Sequence, residues 1–315
     1  MVATEGLAQV APHGLIATLA RVPWLGHIDL PARERPARLA PGVARQHAEG
    51  RSAMALVELS DVSISFGGVR ALADVNLAVE PGQLFSIIGP NGAGKTSLLN
   101  CISGRYTPDA GRIMFDGADI TRRPTNKRAG IGIGRTFQNL ALFGHMSVID
   151  NILVGRHHLM KNNFLTGSLY WIGGAQAEEL EHRRAVEEII DFLEIQHVRH
   201  AVAGTLPYGL RKRVELARAI ALKPRLILLD EPMAGMNLEE KMDMARYVVD
   251  LNEEWGMTVV MIEHDMGVVM DISHRVAVLD FGRKIAEGRP DEVLGNEDVR
   301  RAYLGVDADE QLAAS

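Results

Sequence analysis

A single cysteine, Cys101, stands in 315 residues, which excludes a disulfide within the chain and a thiolate metal cluster built from it alone. A reducing compartment fits that composition. Long hydrophobic runs are missing as well: the longest apolar stretches, in "LFSIIG", "LILL" and "TVVMI", are strand-sized. They fall short of the roughly 18 to 20 residues that span a bilayer. The chain is expected not to cross a membrane by itself, and docking onto a membrane protein stays open. No Lys or Arg precedes Arg21, so the "GLIATLA" patch lacks the charged start of a secretory leader. Nor is there a surplus of positive charge. The 34 basic and 40 acidic residues leave a formal net charge of -6, which argues against a nucleic-acid-coating role.

What is present divides the chain. Residues 1–53, with "PARERPARLAPG", show no period of 2 or 3.6 and read as a disordered or non-native extension. From Met54, a possible translation start, "LVELSDVSISF", "ALADVNLAVE" and "GRIMFDGADI" alternate like strands of an antiparallel layer. "LFSIIG" is continuously apolar, as a fully buried central strand would be. A helical lobe is expected over about 150–220, where "AQAEELEHRRAVEEIIDFLEI" spaces its apolar residues helically. "RLILLD", "NLEEKMDMARYVVDLNEEW" and "MTVVMIE" then read as strand, helix and strand of a parallel sheet. The folded domain should cover 54–305, with a loose tail at 306–315. Length and pattern together predict an α/β fold with a mainly parallel central sheet, an antiparallel β layer and a helical lobe.

The chemistry concentrates in few places. "GPNGAGKT", Gly89 to Thr96, fits the phosphate-cradling pattern G-x-x-x-x-G-K-[ST] between a buried strand and a helix-forming "SLLNCIS". Its glycines let backbone N–H groups converge on phosphate oxygens at a helix N-terminus. Lys95 can reach the β and γ phosphates, and the Thr96 hydroxyl can ligate Mg²⁺. Asp230 and Glu231 close the strand "LILLD", where an open parallel sheet places ligands; Asp230 can hold Mg²⁺ through water and Glu231 can polarise an attacking water. His264 follows the next apolar strand in the same way. Gln138 in "RTFQN" gains meaning only from this context. Other signals read as structural. "DFG" at Asp280 to Gly282 matches a kinase triplet but lies in a hairpin-like "RVAVLDFGRKIAEG". His157 and His158 are adjacent and point apart, and the Met residues fall at core positions.

Taken in order, the phosphate loop, Gln138, "LPYGLRKRVELARA", "LLDEP" and a strand-ending His264 resemble the ATP-binding subunits of ABC transporters over about Leu56 to Gly305. "LPYGL" stands where that family usually has L-S-G-G-Q, with Pro207 for Ser, Tyr208 for Gly and Leu210 for Gln; "AGMN" places Asn237 where many members have Asp. "FGGVRAL", "GRTFQNLALF", "IEHDMGVVM" and "AYLG" are similar to the branched-chain amino acid importer subgroup, and "HHLMKNNFLTGSLYWIGGAQ" resembles the longer of its two paired ATPases.

The resemblance implies ATP and Mg²⁺ as cofactors. Phe66 would stack on adenine, and Gly89, Pro90, Asn91, Gly92, Ala93, Gly94, Lys95, Thr96 and Ser97 would hold the triphosphate. Thr96, Gln138 and Asp230 would serve Mg²⁺, Glu231 the proton and His264 the γ-phosphate. The amides around Tyr208 and Gly209 would face ATP on another subunit. A plainer reading of that helix puts Leu210, Val214, Ala217 and Ala221 inward and its Arg and Lys in water. The implied partners are a second, different ATP-binding subunit in a head-to-tail dimer, two membrane permease subunits and, indirectly, a solute receptor, with no nucleic acid. "NLALFGHMSVIDNI" would line the groove for the permease, or its Leu140, Leu142, Phe143 and Met146 are core. The implied location is peripheral, on the cytoplasmic face of the membrane. Importers of urea or short amides and exporters would read similarly. A soluble ABC ATPase acting on ribosomes or DNA is the alternative of another class, and the lack of a second phosphate loop and of sustained heptads disfavours it.

Overall fold

A computed structural model describes residues 54–136, 140–159 and 174–303. The segment 1–53, Gln138 and the tail 306–315 lie outside them. In chain order the elements are β1 (Val57–Phe66), β2 (Val69–Val79), β3 (Leu84–Ile88), α1 (Lys95–Ser103), β4 (Ala110–Phe115), β5 (Ala118–Asp119), α2 (Thr125–Ala129), β6 (Ile133–Arg135) and α3 (Val148–Gly155). There follow α4 (Gly174–Phe192), α5 (Tyr208–Ile220), β7 (Leu226–Asp230), α6 (Leu238–Glu253), β8 (Thr258–Ile262), α7 (Met266–Ile272), β9 (Arg275–Asp280), β10 (Arg283–Gly288) and α8 (Pro290–Gly295).

Two sheets form, as the residue patterns predict. One has the order β2-β1-β4-β5 and is antiparallel throughout. The other runs β10-β9-β3-β8-β7-β6, parallel except for the β9–β10 hairpin whose turn contains Phe281 and Gly282. The apolar runs are continuous because the parallel sheet is covered on both faces. Leu226 and Leu228 pack into the core shared with the antiparallel layer and α1, whereas Ile227 and Leu229 pack into the core of the helical lobe. Val260 and Ile262 alternate with Val259 and Met261 in the same way.

Two details depart from the sequence reading. "GRIMFDGADI" is two strands split by a turn at Asp116 and Gly117, with Asp116 at φ 51°. The three-residue β6 joins the sheet beside β7 with too few residues to show any period. Within the expected lobe, α3, α4 and α5 supply the helices. Met233, Met236, Met244, Met257 and Met261 are buried as core residues, whereas Met54 is 70% exposed.

The phosphate-loop helix is anchored at its far end. Arg128, 1% exposed, donates from Nη1 to the carbonyls of Cys101 and Ile102 at 2.6 and 2.7 Å and from Nε to Arg123 O at 2.8 Å. A cation there satisfies carbonyls at the negative end of α1. Burial pushes the Arg128 guanidinium down to about 10, still charged at neutral pH.

Candidate ATP-hydrolysis site

The parallel strands end at one edge, and their order decides what meets there. The loop Gly89 to Gly94 leaves β3, the pair Glu263 and His264 leaves the neighbouring β8, Glu231 leaves β7, and the segment toward Gln138 leaves β6. The loop is tight. A Cβ on Gly89 would lie 2.0 Å from Leu279 O, and one on Gly94 would lie 2.4 Å from Ala71 O, so neither position admits a side chain. Lys95 is 8% exposed and its Nζ donates to the carbonyls of Gly89 and Pro90 at 2.6 and 2.8 Å. Burial lowers its pKa, while Glu231 and Asp230 pull it back up.

Asp230 is 1% exposed. Its Oδ2 pairs with Arg135 Nη2 at 3.1 Å, and its Oδ1 is buried without a hydrogen-bond partner among the described residues. Burial raises the Asp230 pKa against the opposing pull of Arg135; the Thr96 hydroxyl lies near enough to favour the charged form without completing a bond to Oδ1. A buried carboxylate oxygen left over beside a hydroxyl suits a hard cation that takes most of its ligands from phosphates and water. Mg²⁺ therefore fits these residues. No cluster of three His, Cys, Asp or Glu exists among the described residues, so a cage built from such side chains alone is not offered there.

Glu231 adopts φ 50°, a conformation that costs a non-glycine residue strain. Main-chain bonds hold it: Glu231 N donates to Ile262 O at 3.0 Å and Ala234 N to Glu231 O at 3.2 Å. Its Oε1 lies 3.6 Å from His264 Nδ1, and the His264 side chain is 57% exposed, open to an incoming group. Phe66 is 44% exposed and meets Tyr106 edge-on, with 5.0 Å between ring centroids.

The helix α5 begins at Tyr208 behind Pro207, with no side chain capping it, so its first amides are available to an anion. Tyr208, in place of a small residue, packs on Gly235: a Cβ there would lie 3.2 Å from its ring. Gly209 abuts Glu240, which forms a capping box with Asn237 at the head of α6. The expectation that the α5 cations lie in water is corrected. Lys212 is 3% exposed and reaches Glu231 O at 3.4 Å, Arg213 binds Asp243 and Tyr247 at 2.6 and 2.9 Å, and Arg218 donates to Ala141 O. Lys212, Arg213 and Arg218 each find an acceptor on a neighbouring segment, and the Arg211 guanidinium lies 5.8 Å from the centre of the Tyr208 ring. Leu210 is only partly buried.

In the candidate permease groove, Leu142 packs against the lobe core while Phe143 is 50% exposed, its backbone held by Asn151. His157 and His158 are both exposed. Sequence reasoning missed Arg135, which also donates to Asn100 Oδ1 and Ser103 Oγ at 2.7 Å each. "GRTFQN" carried that residue, and a lone Arg at the end of an unrecognised strand gave no reason to weigh it.

This edge chemistry places the chain among the P-loop nucleoside triphosphatases. The ABC transporter family model matches residues 72–234, and that of the branched-chain amino acid ATP-binding cassette transporters matches 283–309. The high-affinity branched-chain amino acid transport ATP-binding protein BraF of Pseudomonas aeruginosa is 40% identical over 250 residues, covering 79% of this chain and 98% of BraF. Among solved structures, an ATP-binding cassette of an ABC transporter in its ADP conformation is 33% identical with a TM-score of 0.69, covering 80% of this chain and 99% of its own. A dimeric cassette in a post-hydrolysis state, bound to ADP and phosphate, is 26% identical with a TM-score of 0.63, covering 74% and 98%. The chain belongs to the ABC transporter family and is an ATPase of that family.

Proposed function

We propose that this ATPase hydrolyses MgATP between two ATP-binding subunits arranged head to tail, and so energises uptake of branched-chain or other hydrophobic amino acids through a membrane permease. The observation that carries the hydrolytic part is the single edge on which Lys95, the spare Oδ1 of Asp230 and the Glu231–His264 pair converge. Glu231 takes the proton of the attacking water, and His264, exposed beside it, contacts the γ-phosphate. Lys95 and the loop amides orient the triphosphate, and Phe66 offers an aromatic face to adenine. Mg²⁺, held by Thr96 and Asp230 with Gln138, would neutralise charge on the β and γ phosphates.

The uncapped start of α5 supports the head-to-tail arrangement, because it presents amides that no side chain caps. The amino acid part rests on BraF and on the match at 283–309. ATP bridges the subunits and hydrolysis releases them, so differential affinity for closed and open forms moves the permease. None of the helices among the described residues is long and apolar enough to cross a membrane. Attachment is peripheral, through the permease, at the cytoplasmic face.

The test uses Glu231→Gln, which should retain ATP binding while turnover drops at least about 100-fold. A tagged form captured from detergent extracts with MgATP should bring down two permease chains and a second, shorter ATPase, and the receptor captured with them names the solute. Recovery of ribosomal or DNA-repair proteins without a permease would overturn the transport reading, and wild-type phosphate release would overturn the role of Glu231.

A further inference from the structure

We infer that Glu263 is a positioning residue for hydrolysis, tying the turn that follows Glu231 to the backbone that carries His264. Glu263 is 1% exposed at the end of β8, whose five residues are all apolar or small. A carboxylate is costly to bury, and it persists where hydrogen bonds to its oxygens replace water. Here both oxygens accept main-chain donors. Oε1 takes the N–H of Met233 at 2.9 Å, and Oε2 takes that of His264 at 3.3 Å. Besides the two amides, the titratable groups that act on it are His264 and Glu231, and burial leaves its pKa raised.

The two amides belong to the loops of different strands. Met233 lies two residues after Glu231, beyond Pro232, which has no N–H to give. His264 sits at the end of the neighbouring β8. Glu263 is therefore a side-chain clasp between the segments whose separation sets the 3.6 Å approach of Glu231 Oε1 to His264 Nδ1. The clasp matters because Glu231 is held at a positive φ of 50°, a conformation the chain keeps only while its surroundings enforce it. Beside it, the Glu231 N to Ile262 O bond fixes one end of the turn, and Lys212 Nζ fixes the Glu231 carbonyl. The Ala234 N to Glu231 O bond closes the turn on itself, and Glu263, through Met233 N, is the side chain that ties it to the end of β8.

The inference rests on Glu231 and His264 as the hydrolytic pair, and the test separates the two ideas. Steady-state ATPase activity of the full chain is measured for Glu263→Ala and Glu263→Gln, with the melting temperature of each. Displacing a reacting group by about 1 Å costs up to about 100-fold in rate. The alanine variant should lose roughly 10- to 100-fold in kcat with the KM for ATP within about twofold of wild type. The glutamine variant should fall between, because its amide oxygen still accepts from Met233 while its NH₂ faces the His264 N–H. In single-turnover assays, Glu263→Ala should add nothing to the defect of Glu231→Gln, since groups that act as a unit are not additive.

Unaltered kcat in either variant overturns the inference. So does a rise in KM at constant kcat, or an equal loss in the wild-type and Glu231→Gln backgrounds, which a merely structural role would give. If the alanine variant fails to fold, the same kcat-against-KM split in Glu263→Gln decides. Full turnover by Glu231→Gln would instead overturn the base assignment and this inference with it.

Discussion

Replacing Arg135 by Met tests how the Asp230 carboxylate is held. Asp230 keeps its burial, 1% exposed, but loses its partner at 3.1 Å, while Asn100 Oδ1 and Ser103 Oγ lose a donor at 2.7 Å. Breaking one side of a buried ion pair costs about 3 to 5 kcal/mol, because the remaining charge stays desolvated. At roughly 2 to 4 °C per kcal/mol for a domain of this size, Arg135→Met should melt about 6 to 20 °C lower. Calorimetry with a chelator present, so that no cation takes the guanidinium's place, reads this directly. Arg135→Met/Asp230→Asn removes both charges and should regain about 2 kcal/mol relative to Arg135→Met. If the two single changes add within about 0.5 kcal/mol, Arg135 and Asp230 do not depend on each other and the account of the site is wrong.

Two further predictions follow from packing. A Cβ at Gly209 would lie 2.2 Å from Glu240 Oε1, so Gly209→Ala must push Glu240 out of the capping box with Asn237. That should cost about 1 kcal/mol in chemical denaturation, and wild-type stability would show that Glu240 moves aside freely. Burial pushes the Cys101 thiol up to about 11, so at pH 8 it should resist thiol reagents until the protein unfolds. Above about pH 8.5, where an exposed thiol ionises, the native state keeps a proton that the unfolded chain releases. Stability from this group is therefore lost as the pH climbs toward 11. Labelling of the native protein at the rate of a free thiol would refute the buried placement.

Sequence alone determined the parts whose physics is local. The phosphate loop is legible because its glycines, Lys95 and Thr96 are neighbours in the chain. The apolar runs around Phe85, Leu228 and Val260 announce strands covered on both faces, and Asp230, Glu231 and His264 are legible because they stand at the ends of such runs. Only tertiary structure decided the support of these groups. Arg135 and Asp230 are 95 positions apart, and Glu263 and Met233 are 30 apart. The burial of Lys212 and the seat of Tyr208 on Gly235 likewise depend on which turn lies beside α5. Backbone hydrogen bonding and burial select strands and helices over a few residues. Which side chains then meet at the sheet edge is set by the order β3-β8-β7-β6, which the crossovers between strands impose and no short stretch of residues records.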